Sequence, residues 1–153
     1  MIAVLQRVNN ATIYADGDLS GEIDKGLYIL LGVISGDEKK DAELLSEKIA
    51  KCRIFCDEND KMNLSCQDIG GAVMVVSNFT LGANYKHGNR PDYLRSAPPK
   101  EANELYEYFI ELMKSKVTKV ATGKFGADMR TEMSTDGPVT IVMDSEVLKG
   151  TKK

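Results

Sequence analysis

The residue types that usually carry hydrolytic chemistry are sparse in this chain. There is one histidine, His87, in a polar Gly/Asn/Lys-containing stretch. A Ser-His-Asp or Cys-His hydrolase would need it as the base beside its nucleophile, and its setting favours a solvated loop residue instead. Cys52, Cys56 and Cys66 lack a recognised zinc spacing, and no histidine cluster completes a set of ligands. The thiols are therefore expected to be buried or half-exposed, with no metal and no cofactor in the site. Gly70-Gly71 precedes a strand-like run and does not sit between a strand and a helix, which argues against a phosphate-binding loop. An enzyme with this sequence would have to work through backbone groups, hydroxyls and amides.

Three stretches stand out on that basis. Ser77-Asn78-Phe79-Thr80-Leu81 ends the most apolar strand-like run and alternates poorly with a simple core face. Strand ends favour sites, because the rigid sheet fixes them while the following loop opens space; ordinary hydroxyl capping of a strand is the alternative. Lys124-Phe125-Gly126-Ala127-Asp128-Met129 flanks small residues with an aromatic ring and a thioether. That pattern allows backbone to approach a ligand between two apolar walls, or makes a turn with two core anchors. Thr135-Asp136-Gly137-Pro138-Val139-Thr140 reads as a rigid Gly-Pro turn leading into a strand. A fixed pair of this kind aims backbone carbonyls at whatever lies opposite; a plain turn is the alternative.

The surrounding sequence supplies elements to position these stretches. Alternation from Ile2 to Val8, with punctuation at Asn9-Asn10, predicts an opening strand. Asp16-Gly17 predicts a hairpin turn and Leu19–Ile23 its return strand. The continuous apolar run Leu27–Val33 predicts a strand buried on both faces. Asp37–Lys51 predicts a first helix, with Asp37 as N-cap and Ala42, Leu45, Ile49 and Cys52 on one face. Ala72–Leu81 predicts the strongest strand, followed by a polar loop from Gly82 to Ala97. Ser96 and the pair Pro98-Pro99 start a second helix, with Ala102, Leu105, Phe109, Leu112 and Met113 as its buried stripe. Lys116–Gly123 and Pro138–Asp144 read as closing strands, and residues from about 146 to 153 as a flexible tail. The expected fold class is α+β: antiparallel or mixed, barrel-like sheets with two main helices packed on them.

Length and composition bound the answer further. With 153 residues, one domain over 1–153 is expected. Hydrophobic residues at 42% and charged residues at 28% provide for a real core and argue against disorder. The net charge of −3 argues against a broadly basic nucleic-acid coat while allowing a local basic patch. The longest apolar run is too short to span a bilayer, and the N-terminus does not read as a signal peptide, so a cytoplasmic protein is expected.

Taken together, the three stretches resemble the D-aminoacyl-tRNA deacylase family, of the D-tyrosyl-tRNA deacylase type, from Met1 to about Ser145. The resemblance also rests on Ala3-Val4-Leu5-Gln6-Arg7-Val8, Leu30-Leu31-Gly32-Val33, Arg53-Ile54-Phe55 and Lys61-Met62-Asn63-Leu64-Ser65. Ser77–Leu81 resembles the motif usually written Ser-Gln-Phe-Thr-Leu, with Asn78 in place of Gln. Gly137-Pro138-Val139-Thr140 resembles the family's Gly-cisPro motif. The resemblance implies hydrolysis of the D-aminoacyl ester of tRNA, extended to glycyl-tRNA mischarged on tRNA-Ala, by a homodimer in which the Gly-Pro element of one subunit enters the partner's site. Ser77, Phe79 and Thr80 are then the catalytic candidates, with backbone N–H groups around Phe79-Thr80 as an oxyanion hole, Thr80 orienting, and the terminal ribose 2′-OH assisting. Gly137 and Pro138 would exclude L side chains. Asn78, Phe125, Ala127 and Met129 would line the pocket for the 3′-terminal adenosine, and the basic residues Lys86, Arg90 and Arg95 either contact acceptor-stem phosphates or form a solvated loop face. A related editing deacylase with another mischarged substrate, and a non-catalytic RNA-binding module, are the rival readings.

Overall fold

A computed structural model describes residues 1–150. Its spine is β1 (Ile2–Ala15), a long strand with two partners in succession along one edge. Residues Ile2–Val8 pair antiparallel with β3 (Gly26–Gly32), and Ala11–Ala15 pair antiparallel with β2 (Asp18–Ile23). The β1–β2 hairpin closes through Asp16 and Gly17, both at positive φ (50° and 88°), as the Asp-Gly pair predicts. Along its other edge β1 pairs antiparallel with β8 (Met129–Asp144). Beyond β3 the sheet becomes parallel, through β6 (Ala72–Ser77) and then β7 (Lys119–Thr122). The sheet curls so far that Ser20 on β2 donates its hydroxyl to the Thr122 carbonyl on β7 at 2.8 Å, nearly closing a barrel.

Parallel neighbours need crossover connections, and the two helices supply them. Helix α1 (Lys39–Lys51) follows β3, and a small ribbon of β4 (Phe55–Cys56) and β5 (Met62–Leu64) leads from it into β6. Helix α2 (Pro99–Lys114) connects β6 to β7. The apolar runs of β3 and β6 are continuous because both faces are covered. Leu27, Ile29, Leu31, Val73 and Val75 pack toward Leu45 and Ile49 of α1 and Phe109 and Met113 of α2. Their alternates Tyr28, Met74 and Val76 join Val8, Ala11, Ile13 and Ile23 in a second cluster. The buried stripe of α2 runs through Ala102, Tyr106, Phe109, Ile110 and Met113, with Leu105 and Leu112 only half-buried at its margin.

Several boundaries differ from the sequence reading. Helix α1 starts two residues late, with Glu38 as N-cap and its N–H donating to the Asp41 carboxylate at 2.8 Å. Asp37 is taken up elsewhere, by the Met1 ammonium at 2.8 Å and the Ile34 N–H at 2.7 Å. Asn9-Asn10 does not end β1; both are exposed at an irregularity that the continuous strand absorbs. The stretch read as a tail begins with an ordered helix, α3 (Ser145–Lys149), capped by Asp144. Ser145 donates to Asp41 at 2.6 Å and Lys149 pairs with Asp41 at 2.9 Å, so this turn is fastened to α1. Residues 151–153 of the expected tail lie outside the described residues. No helix among the described residues is long and apolar enough to cross a membrane.

Candidate functional site

Strand β6 ends at Ser77, and the chain turns at once into a 3-10 helix, Phe79–Gly82. The turn packs down on β3 because position 32 has no side chain. A Cβ on Gly32 would come 2.8 Å from the Leu81 Cβ and 3.0 Å from the Asn78 carbonyl oxygen. Asn78 is the N-cap: its Oδ1 accepts from the Thr80 N–H at 3.2 Å and from the Thr80 hydroxyl at 2.5 Å. Asparagine is among the preferred N-cap residues, since its short side chain lets the amide oxygen reach back to the first turn. With two donors on Oδ1, the amide orientation is set and Nδ2 points away from the turn. Neither Nδ2 nor the Ser77 hydroxyl has a hydrogen-bond partner among the described residues. The backbone follows the same division. The Thr80 N–H, expected in an oxyanion hole, is occupied by Asn78, whereas the Phe79 N–H is left open.

A cleft of about 640 Å³ opens beside this turn. Ser77, Asn78 and Phe79 form one wall; Phe125, Gly126, Ala127 and Met129 form another. Two of the three stretches singled out in sequence therefore meet across one space. The 125–129 segment is held by the β1–β2 hairpin, since Asp16 N–H donates to the Asp128 carbonyl at 2.8 Å and Asp128 N–H returns a bond to the Asp16 carboxylate at 3.1 Å. Phe125 rests against Tyr106 of α2, ring centroids 6.0 Å apart. Tyr106 in turn donates its buried hydroxyl to the Val75 carbonyl at 2.9 Å, and burial followed by the nearby Glu107 charge pushes its pKa up to about 12. The rear of the cleft is thus one neutral, braced unit of helix, strand and loop.

The third wall was missed in sequence. Tyr93, Ser96, Ala97, Pro98 and Pro99, at the entry to α2, also line the cleft. Tyr93 meets Phe79 edge to face, ring centroids 5.1 Å apart, at the cleft mouth, and Ser96 donates to the Phe79 carbonyl at 2.7 Å. The only signal was their nearness to Pro98-Pro99, which marks a helix start and says nothing about which way the preceding loop folds. Thr80 does not line the cleft; it is exposed behind Asn78. His87 is exposed in the loop between the 3-10 turn and α2, outside the cleft lining, as are Lys86, Arg90 and Arg95.

Gly137 and Pro138 also stand apart from the cleft of their own chain, both exposed. The bond between them is cis. They form no turn before a strand: β8 runs through them, and the register jumps from Gln6–Thr140 to Val8–Thr135, so Arg7 alone faces Asp136–Val139. The excess residues bulge outward. Arg7, 8% exposed, holds the bulge at its base. Its Nε lies 3.1 Å from the Asp136 carboxylate and donates to the Asp136 carbonyl at 3.3 Å, while Nη1 donates to the Ile54 carbonyl at 2.7 Å. A charge inside the apolar alternation Val4–Val8 was the available sign of this role, because a buried guanidinium has to be paired.

The family profile and the curated relatives agree on one family. The profile of the D-Tyr-tRNA(Tyr) deacylase family matches residues 4–144. A D-aminoacyl-tRNA deacylase of Caldicellulosiruptor saccharolyticus is 50% identical over 146 residues, covering 95% of this chain and 98% of its own length. One from Koribacter versatilis is 49% identical over 146 residues, with the same coverage of each chain. A solved structure titled c-Myc DNA Unwinding Element Binding Protein superposes with a TM-score of 0.89 at 35% identity, covering 94% of this chain and 98% of that one. A probable eukaryotic D-amino acid tRNA deacylase shares the fold at a TM-score of 0.83 and 11% identity, covering 93% of this chain and 97% of that one. With a match across nearly its whole length and relatives about half identical to it, the chain belongs to the D-Tyr-tRNA(Tyr) deacylase family.

Proposed function

We propose that this protein hydrolyses the ester between a D-amino acid and the 3′-terminal adenosine of tRNA, in the cytoplasm and as a homodimer. One observation carries the chemistry: the cleft presents unengaged donors, Asn78 Nδ2, the Ser77 hydroxyl and the Phe79 N–H, at the rigid end of β6. An ester carbonyl set against them gains hydrogen bonds as its oxygen becomes an oxyanion, and one such donor is typically worth about 100- to 1000-fold in rate. Thr80, its proton committed to Asn78, acts by orienting that amide. The attacking group is then water or the neighbouring ribose 2′-OH, which needs no nucleophilic side chain. Phe125 and Met129, with Ala127 between them, wall the adenosine side.

The dimer and the chirality filter are supported by what is left uncovered. Among the described residues β8 pairs only with β1, so its other edge is open, and long open edges invite a partner strand. Val142, 68% exposed, sits across from Val4 on the sheet, an apolar pair awaiting cover. The Gly137-Pro138 bulge projects from this same strand, away from its own cleft. A partner's cleft is where it can act, its carbonyls obstructing an L side chain while a D side chain points to open space. Glycine, with no side chain to exclude, passes too, which extends the reading to glycyl-tRNA mischarged on tRNA-Ala. The test is hydrolysis of D-tyrosyl-tRNA beside L-tyrosyl-tRNA with chelator present. Loss of the D ester alone is expected; survival of both esters in the presence of folded protein would refute the proposal.

A further inference from the structure

Between the 3-10 turn and α2, the segment Gly82–Ala97 builds a second surface next to the cleft. Its backbone is pinned at several points. Asn84 and Asp92 exchange N–H···O bonds at 2.8 and 2.9 Å, Ser35 N–H donates to the Arg95 carbonyl at 2.8 Å, and Arg95 Nε donates to the Gly82 carbonyl at 3.2 Å. The concavity so formed, about 530 Å³, is bordered by Tyr85, Lys86, Leu94 and Arg95. On this fixed frame Tyr85 and Leu94 are 81% and 88% exposed, the two most exposed large apolar side chains among the described residues. Lys86 and Arg95 border the same concavity and exposed Arg90 lies in the loop between them, none of the three in an ion pair among the described residues, in a chain whose net charge is −3. The one acid of the segment, Asp92, also borders the concavity, its carboxylate accepting the Leu94 N–H at 3.1 Å. The surface is continuous with the cleft, since Tyr93 and Ser96 belong to both the segment and the cleft wall.

We propose that this surface binds the unpaired nucleotides that precede the terminal adenosine of the tRNA, with Tyr85 stacking on a base and Lys86 and Arg90 meeting phosphates. The proposal rests on the deacylase reading and extends it to a second RNA subsite. An exposed aromatic face beside free cations is the chemistry of single-strand binding, where stacking tolerates any base and charge follows the backbone. A second copy of the chain is the less suited occupant. A two-fold contact here would bring Lys86, Arg90 and Arg95 against their own copies.

The experiment uses an uncharged RNA hairpin copying an acceptor stem with its single-stranded 3′ tail, titrated by fluorescence anisotropy. Tyr85→Ser is expected to weaken binding at least about fivefold, and Tyr85→Phe to restore it. The double variant Lys86→Ala/Arg90→Ala should flatten the dependence of log Kd on log salt by roughly 1.4, the value for two phosphate contacts on a single strand. Wild-type affinity in Tyr85→Ser, no binding by the wild type, or a changed sedimentation mass in Tyr85→Ser would each overturn the proposal, the last by assigning the face to a second copy. Leu94→Ser provides a second variant of the same face, and thermal melts confirm that each variant is folded. Because the probe carries no ester, the result stands apart from the hydrolysis test: binding without hydrolysis would sink the deacylase reading alone.

Discussion

Replacing Asn78 by aspartate would separate the cap that its side chain makes on the turn from the donor role proposed for it in the cleft. Oδ1 holds the turn by accepting from the Thr80 N–H and hydroxyl, and Nδ2 is free to donate into the cleft. Asn78→Asp keeps an acceptor in the Oδ1 position, so the cap survives and is strengthened by its charge. The same change replaces the free donor with a carboxylate oxygen, facing the place where the ester oxygen turns negative. Turnover should fall by about 100- to 1000-fold, the usual cost of one oxyanion donor, with Tm equal to or above the wild type. Asn78→Ala removes both functions. It should show a comparable loss of rate together with about 0.5–2 kcal/mol of lost stability, a Tm lower by roughly 1–8 °C in a protein of this size. Single-turnover deacylation of D-tyrosyl-tRNA and thermal melts read the two effects independently. Wild-type turnover in Asn78→Asp would remove Nδ2 from the chemistry. A Tm in Asn78→Asp as low as that of Asn78→Ala would show that Oδ1 does not hold the turn.

Three further outcomes follow from the packing. Gly32→Ala drives a Cβ toward Leu81 and the Asn78 carbonyl, so a loss of about 1–3 kcal/mol is expected, with a fall in kcat as the turn shifts; wild-type kcat with wild-type Tm would show that the turn is not seated on β3. For Asp41, burial alone would raise the pKa, but the Ser145 hydroxyl, the Glu38 N–H and Lys149 outweigh it and hold the carboxyl below its ordinary 3.8. Its stabilising contribution is complete above 3.8 and is lost as pH falls through the lower folded value; Asp41→Asn should cost about 1.5–3 kcal/mol at neutral pH, with the gap to wild type closing in acid, and a constant gap in melts across that range would contradict this. Burial pushes the Cys66 thiol up to about 11, whereas Cys56 is exposed, so a maleimide at neutral pH should label Cys56 in the native protein and Cys66 only after denaturation; equal native labelling would contradict the packing around Cys66.

The long-range order of the fold was legible where burial dictates a pattern. Leu27–Val33 and Ala72–Val76 are apolar at every step because each is covered on two faces, and that is visible in a sequence read one residue at a time. The Asp16-Gly17 turn was legible because few residue pairs tolerate two successive positive φ angles. Features set by a partner far along the chain were not. Asp37 reads as a helix cap until the N-terminus arrives to take its carboxylate. Gly137-Pro138 reads as a turn because local rules know only turns for such a pair, and the bulge exists only against Arg7 on a strand that lies near the other end of the sequence. The wall formed by Tyr93 and Ser96 has the same origin, a loop folded back onto the turn it follows.

The same reasoning bears on the one position where the chain departs from the pattern it resembles. Gln is not among the preferred N-cap residues, because its longer side chain has to give up more freedom to fold back on the first turn. Asn78 caps with little such loss, and its amide is then held by Thr80 at both bonds to Oδ1. In this chain, therefore, the residue that fixes the turn also fixes the direction of its own free donor, and in the proposed chemistry Thr80 acts from outside the cleft by holding that amide. A site assembled this way depends on the seat beneath it: Gly32 under the turn, Ser96 on the Phe79 carbonyl and Tyr106 behind β6. Rigid support of that kind is what lets hydrogen-bond donors act without reorganising when charge develops.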